Sequence, residues 1–306
     1  MPDPPAELRA LAERRAAARA ARDFGAADAL RDQIAAAGWT VVDEPTGWQL
    51  QPTVAQPLPR LPASAVRSVL DQDPTYDASL HWVVEGWPQD VVRAIRAFRA
   101  TVGARRVQFV VADVTGADPA GWGPGVEVVA LEEGTGWAAA RNAGLRRSRG
   151  LVVLALDGSI EPAGDVLGPL EAALSDPGVG ICGPFGIVTR DLREFDESPE
   201  AGECDAIEGY LMAFRREVLT IAGPFDERFR WYRTADIDWS FRVRDARLRA
   251  MVVPVPVTKH PHRMWFETPP AQRATWSKRN FYRFLDHWRD RWDLVLSGEP
   301  PPDGTG

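Results

Sequence analysis

The chain has 306 residues, 45% of them hydrophobic and 26% charged, with a net charge of −7 at neutral pH. That balance excludes a disordered or fibrous chain, and the acidic excess argues against a DNA partner although arginine outnumbers lysine 34 to 2. Two cysteines, Cys182 and Cys204, make neither a zinc cluster nor a disulfide framework. No apolar run reaches the roughly 18 residues of a membrane span, and the charged opening does not read as a signal peptide, so a cytoplasmic location is expected.

Residues 5–38 are rich in alanine and arginine, and Leu8, Leu11, Phe24, Leu30 and Ile34 fall at helical spacings with a break near Phe24-Gly25. This pattern predicts a helical hairpin. Trp39–Val42, the turn Pro45-Thr46-Gly47 and Trp48–Leu50 predict a small β-hairpin after it. Residues 51–77 carry five prolines and little periodicity, which reads as a linker, with a short helix near Ala65–Leu70.

From residue 78 onward short apolar runs alternate with helical periods, the mark of βαβ units and a mostly parallel sheet flanked by helices. Leu80–Val84, Val107–Ala112, Val126–Leu131 and Leu151–Leu156 are the predicted strands. Val91, Ile95, Phe98 and Val102 share one helix face, Trp137–Arg147 predict another helix, and Pro162 is placed near the start of a third that carries Leu167, Leu170 and Leu174. Asp113 and Asp157 then lie at the carboxyl ends of strands, the edge where open α/β sheets bind ligands.

Two stretches, Gly136-Trp-Ala-Ala-Ala-Arg-Asn-Ala-Gly144 and Gly150-Leu-Val-Val-Leu-Ala-Leu-Asp157-Gly-Ser159, resemble family 2 glycosyltransferases of the GT-A fold. In that family an "ARNxG" helix precedes a strand that ends in a DxD-like motif. The resemblance implies a mixed, mostly parallel α/β sheet over residues 78–296. It also implies a nucleoside diphosphate-sugar donor, a divalent metal (Mg or Mn) and a saccharide or other hydroxyl acceptor. A cation suits this chemistry because the leaving diphosphate develops negative charge. By the resemblance Asp113, Arg141, Asn142 and Asp157 hold the donor, and Asp157 with Ser159, which stands where the family has a second aspartate, holds the metal.

Further blocks strengthen the likeness: Ile207-Glu-Gly209-Tyr-Leu-Met-Ala-Phe-Arg-Arg216, Gly223-Pro-Phe-Asp226-Glu-Arg-Phe229, and Ala235-Asp236-Ile-Asp238-Trp-Ser-Phe-Arg242. They are similar to the family's acceptor half. They map its general base onto Asp236, with Ala235 where the family has glutamate, and put Gly209, Trp231 and Asp238 on the acceptor side. An inverting displacement needs such a carboxylate opposite the leaving group. Family members often place a histidine near the metal after the strand corresponding to Val252–Val257. Of His260 and His262, at spacing i and i+2, only one is expected to face the site, and His260 is favoured. The rival reading is a non-catalytic GT-A binding or scaffold module.

Phe281, Phe284, Leu285, Trp288 and Trp292 mark a C-terminal helix packed on the large domain, with a peripheral membrane contact as the alternative; a disordered tail is expected over 297–306. Residues 1–50 resemble the C-terminal helical segment of cysteinyl-tRNA synthetases. The synthetase nucleotide and zinc motifs are absent, which excludes aminoacylation, and no retained tRNA contact is expected. Of 12 tryptophans, Trp87, Trp137, Trp231, Trp239 and Trp265 stand beside the candidate segments, and some are expected to line the cleft.

Overall fold

The computed structural model describes residues 4–44, 47–52, 58–198 and 200–298. The chain forms two compact units, residues 1–58 with 118–124, and residues 59–117 with 125–306. In the small unit, helices α1 (Ala6–Ala20) and α2 (Phe24–Ala36) precede an antiparallel hairpin of β1 (Trp39–Glu44) and β2 (Gly47–Pro52). Asp23 caps α2 by accepting a bond from the Ala26 N–H at 3.0 Å, which puts the helix break just before Phe24. Leu8, Ala12, Ile34, Val41 and Leu50 form the core. Phe24, expected on the apolar stripe, is 62% exposed. Arg15 makes two bonds to Asp43, at 2.8 and 2.9 Å, tying α1 to β1.

The large unit opens differently from the linker reading. Leu61 bridges Leu131 at a sheet edge, Ala63, Val66 and Val69 are buried, and only a 3₁₀ turn at Ala63–Ala65 stands where a helix was expected. There follow β3 (Tyr76–Val84), α3 (Pro88–Thr101), β4 (Val107–Asp113), β5 (Val126–Ala130), α4 (Trp137–Leu145), β6 (Gly150–Leu156), β7 (Ile160–Pro162), α5 (Leu167–Leu174) and β8 (Val179–Gly183). The second half holds β9 (Gly186–Thr189), β10 (Phe195–Glu197), β11 (Gly202–Cys204), β12 (Ala206–Ile207), β13 (Leu211–Arg215), α6 (Val218–Ile221), α7 (Ala235–Asp245), β14 (Arg249–Val252), β15 (Val257–Lys259), α8 (Arg263–Glu267) and α9 (Pro270–Trp288).

Eight strands make one sheet in the order β11-β14-β8-β13-β6-β3-β4-β5. β6, β3, β4 and β5 run parallel, and β13 is inserted antiparallel between β6 and β8. Crossover helices cover such strands on both faces, which is why β3, β4 and β6 read as continuous apolar runs. Trp82 on β3 meets Phe109 of β4 and Phe98 of α3 at 6.3 and 5.8 Å between ring centroids. Pro162 does not start a helix. It ends β7, which pairs with β15, and α5 begins at Leu167. A proline at a strand end gives up no ladder bond it could have donated. Helix α9 buries Phe284 and Trp288, and Phe284 meets Phe241 and Phe195 edge-on at 5.1 and 5.5 Å. Among the described residues no helix is long and apolar enough to cross a membrane. The tail expected over 297–306 falls outside the described residues after Gly298.

Candidate active site

Chain direction brings the chemistry to one edge. The carboxyl ends of β3, β4 and β6 face the same way as the start of β13, because β13 runs antiparallel to its neighbour. Asp157 follows β6 directly, and its backbone N–H donates to the Tyr210 carbonyl at 3.0 Å, so the β6 turn is locked to the entry of β13. Its Oδ1 accepts the Ser159 N–H at 2.8 Å and the Ser159 hydroxyl at 2.5 Å. Oδ2 lies 3.1 Å from His262 Nε2, and His262 Nδ1 is 3.1 Å from the Tyr232 hydroxyl. Burial pushes the Asp157 carboxyl up, but the His262 and Ser159 contacts outweigh it and hold the group below the usual carboxylate range.

Asp236 stands across the cleft at the first turn of α7. Its Oδ2 accepts the Gly209 N–H at 2.7 Å and its Oδ1 accepts its neighbour Ile237's N–H at 3.0 Å. A Cβ on residue 209 would sit 3.2 Å from Asp236 Oδ2, so a glycine there permits the approach. Thr234, the residue that caps α7, has φ of 72°, a strained value for a β-branched side chain, and the turn it makes presents Asp236 to the cleft. Burial raises the Asp236 carboxyl above its ordinary value, against the lowering effect of the two N–H donors.

Arg141 lines the same cleft, within charge range of Asp157. Its guanidinium donates to the carbonyls of His81 at 3.0 Å and Leu156 at 3.1 Å, approaches His81 Nδ1 at 2.9 Å and packs 5.0 Å from the Trp137 ring. Burial lowers it to about 10, so it stays charged at neutral pH next to Asp157. Gly144 makes room for this arrangement, since a Cβ there would come within 1.7 Å of His81 Nε2. Asp157, Asp236, Arg141 and His262 line one cleft with Trp137, Gly209, Tyr210 and Tyr232. Asp236, Tyr210 and Tyr232 also wall a wider groove beyond it, along with Arg233, Trp265, Phe281 and both lysines of the chain, Lys259 and Lys278.

Other candidates lie elsewhere. His260 is turned to Glu161, 2.8 Å away, and its neighbour two residues on, His262, takes the position beside Asp157. The β15 ladder and the chain reversal after it decide which histidine faces inward. Ser159 is directed at Asp157 itself. Asn142 exchanges bonds with the Phe225 backbone at 2.8 and 2.9 Å and so braces the 225 loop away from the cleft. Asp238 is buried under α9, where Oδ1 accepts from Trp288 Nε1 and meets His287 Nδ1, both at 2.9 Å, and Oδ2 accepts from Arg242 at 3.0 Å. Asp113 Oδ1 accepts the Thr115 N–H and hydroxyl at 2.8 and 2.6 Å, a turn-forming role. Trp231 lines a neighbouring cavity with Trp276, Trp239 is fully buried in the core, and the Trp87 indole donates to Glu267. Of the tryptophans expected around the two aspartates, Trp137 lines the cleft and Trp265 the adjoining groove.

Among the described residues no three His, Cys, Asp or Glu side chains gather into a ready metal cluster. Asp157 and His262 provide one carboxylate and one imidazole, with the Ser159 hydroxyl alongside. That set suits Mn²⁺ better than Mg²⁺ and leaves positions for substrate phosphates and water.

The sheet order, with one antiparallel strand set into a parallel run, matches a known architecture. The GalNAc-T7 structure with UDP, GalNAc and Mn²⁺ superposes with a TM-score of 0.58 at 17% identity, covering 77% of this chain and 53% of that one. The large unit has the GT-A fold. Residues 111–243 match the model of Glycosyl transferase family 2. The mannosyltransferase PcManGT from Pyrobaculum calidifontis, solved with GDP-Man and Mn²⁺, is 21% identical with a TM-score of 0.48, over 73% of this chain and 69% of that one. Residues 1–49 match the Cysteinyl-tRNA ligase anticodon binding domain. A curated relative, the cysteine–tRNA ligase of Opitutus terrae (strain DSM 11246 / JCM 15787 / PB90-1), is 58% identical over 48 residues, 16% of this chain and 10% of that protein. The chain thus spans about half of the GalNAc-T7 chain and a tenth of the ligase.

Proposed function

We propose that the GT-A unit transfers a sugar from a nucleoside diphosphate-sugar to an acceptor hydroxyl, with inversion, and that Asp236 is the general base. The observation that carries this reading is the convergence of two differently tuned carboxylates, Asp157 and Asp236, on one cleft that a buried arginine also lines. The family 2 match over residues 111–243 supports it.

Asp157, kept ionised, belongs on the diphosphate side, where His262 would join it in holding a divalent cation. Bound there, the cation would offset charge on the leaving diphosphate. Asp236 lies where the cleft opens into the wider groove, the position for an acceptor. Its carboxylate takes the acceptor hydroxyl proton as the oxygen attacks the anomeric carbon and the bond to the diphosphate breaks. A single displacement of this kind inverts the centre. Arg141 stabilises charge beside Asp157 without moving, being fixed by two carbonyls. A cytoplasmic location is part of this reading; α9 is read as packed on the large unit, with peripheral membrane contact only the alternative, and tRNA contact by the small unit is not part of it.

Incubating the protein with a panel of nucleotide sugars and Mn²⁺ and following nucleoside diphosphate release tests the proposal. Asp157→Ala and Asp236→Asn should each abolish most turnover. Wild-type rates in both variants would sink it. The rival scaffold reading draws on Ser159 in place of a second metal-binding aspartate; donor binding with no turnover of any donor would favour it.

A further inference from the structure

The wider groove that opens beyond Asp236 measures about 690 Å³. Arg233 and Lys278 line it, both exposed, and among the described residues neither forms an ion pair. Each lies over a ring instead, Arg233 at 4.9 Å from the Trp265 centroid and Lys278 at 5.9 Å from that of Tyr282. The two belong to one wall, because Asn280, on α9 with Lys278, donates to the Arg233 carbonyl at 2.8 Å. Ser277 lines the groove as well, and its buried hydroxyl has no hydrogen-bond partner among the described residues. The acids of the groove are engaged at its other residues: Glu208 meets Lys259 at 3.4 Å, with Glu197 of β10 in charge range, and Asp236 accepts two backbone N–H groups. From Arg263 to Arg283 the chain has five cations, Arg263, Arg273, Lys278, Arg279 and Arg283, against one acid, Glu267, although its net charge is −7.

We propose that this groove takes an acceptor carrying an anionic group, phosphate or carboxylate, near its reacting hydroxyl, and that Arg233, Ser277 and Lys278 hold that group. The inference rests on the glycosyl-transfer reading above and names the acceptor class. An arginine fork matches two oxygens of either anion, an ammonium adds a point charge, and the serine hydroxyl donates the bond it lacks in the free protein. A neutral sugar would leave both cations without a counter-charge. Arg233 stands three residues before Asp236 in the chain, and its charge lowers the Asp236 carboxyl. An anion seated on Arg233 cancels that pull, so Asp236 becomes the stronger base as the acceptor arrives. Charge on the acceptor thereby serves turnover as well as binding, and the basic stretch from Arg263 to Arg283 draws it toward the groove.

The full chain in Mn²⁺ with saturating UDP or GDP, which fills the diphosphate side, is titrated with sulfate, acetate and glucose while tryptophan fluorescence is followed, Trp265 lying beside Arg233. Sulfate stands for a phosphate ester and acetate for a carboxylate. At least one anion should give a saturable response that glucose does not, and Arg233→Gln and Lys278→Gln should each weaken it about tenfold. A response to sulfate alone assigns a phosphate, to acetate alone a carboxylate. Among acceptors turned over from matched sets (glucose, glucose 6-phosphate and glucuronate; glycerol, glycerol 3-phosphate and glycerate), the charged member should lead in kcat/KM, and Arg233→Gln should lower its kcat with donor KM unchanged. No saturable response to either anion, a response that survives Arg233→Gln, or a neutral acceptor used as well as its charged partners would overturn the inference while nucleotide binding leaves the transfer reading standing. Failure of both nucleoside diphosphates to bind would overturn both.

Discussion

Asp157 and Asp236 share a cleft, yet their surroundings push their acidities apart: imidazole and hydroxyl contacts hold one down, and burial lifts the other. Pairs separated in this way divide chemical roles at a single pH. If Asp236 is the base, activity needs it ionised, so the acid limb of the kcat/KM profile should lie above the ordinary aspartate value of about 4. An acid limb at or below that value would contradict the assignment. Asp236→Asn should lower kcat by about 10²–10⁴ with donor KM little changed, read in steady-state kinetics. Glu85 makes a separate prediction about stability. Its carboxyl is raised to about 8, so between the unfolded value near 4.5 and pH 8 the folded state keeps a proton the unfolded state has lost. Stability therefore falls as pH rises through that window. Urea denaturation should find Glu85→Gln close to wild type at pH 4.5 and more stable, by about 3–5 kcal/mol, at pH 8.

Helix α9 is fixed to α7 by a buried polar clamp as well as by apolar packing. Asp238, 1% exposed, collects His287, Trp288 and Arg242 on its two oxygens. Asp238→Ala leaves those donors unsatisfied and should cost about 3–5 kcal/mol, measured by denaturant titration. The loss of stability should exceed any change in acceptor KM at permissive temperature. The family resemblance put Asp238 and Asn142 near the chemistry because both sit in motif-bearing helices. Their side chains answer instead to elements far along the chain, α9 for Asp238 and the Phe225 loop for Asn142. The choice between His260 and His262 has the same origin. Two histidines at i and i+2 are equivalent by pattern, and the β7–β15 pairing decides that the first meets Glu161 and the second Asp157.

On the scale of the whole molecule the chain is two units with separate cores, Leu8, Ala12, Ile34, Val41 and Leu50 in the small one and the sheet-centred clusters in the large one. A core that small is marginal by itself. Calorimetry should therefore show two unfolding transitions, and Ile34→Ala should shift only the weaker one downward, by removing about 2–5 kcal/mol. A single transition that Ile34→Ala moves as a whole would contradict this. The alternation of the first four strands of the large unit with their helices, the parallel sheet they form and the placement of Asp157 at its edge were legible in one dimension. Burial on both faces writes continuous apolar runs, and a strand's end is where its run stops. The fate of residues 59–75, which lie packed on the sheet through Leu61, Val66 and Val69, was not, because proline masks periodicity and packing is a contact between distant segments. Local pattern determined the scaffold and the place of Asp157 at its edge, and the resemblance added Asp236. Only the tertiary structure decided which histidine faces Asp157, which aspartate clamps a helix, and that Glu85 and Trp231 share a cavity, since hydrogen bonds across elements depend on side-chain direction and sequence spacing does not encode it.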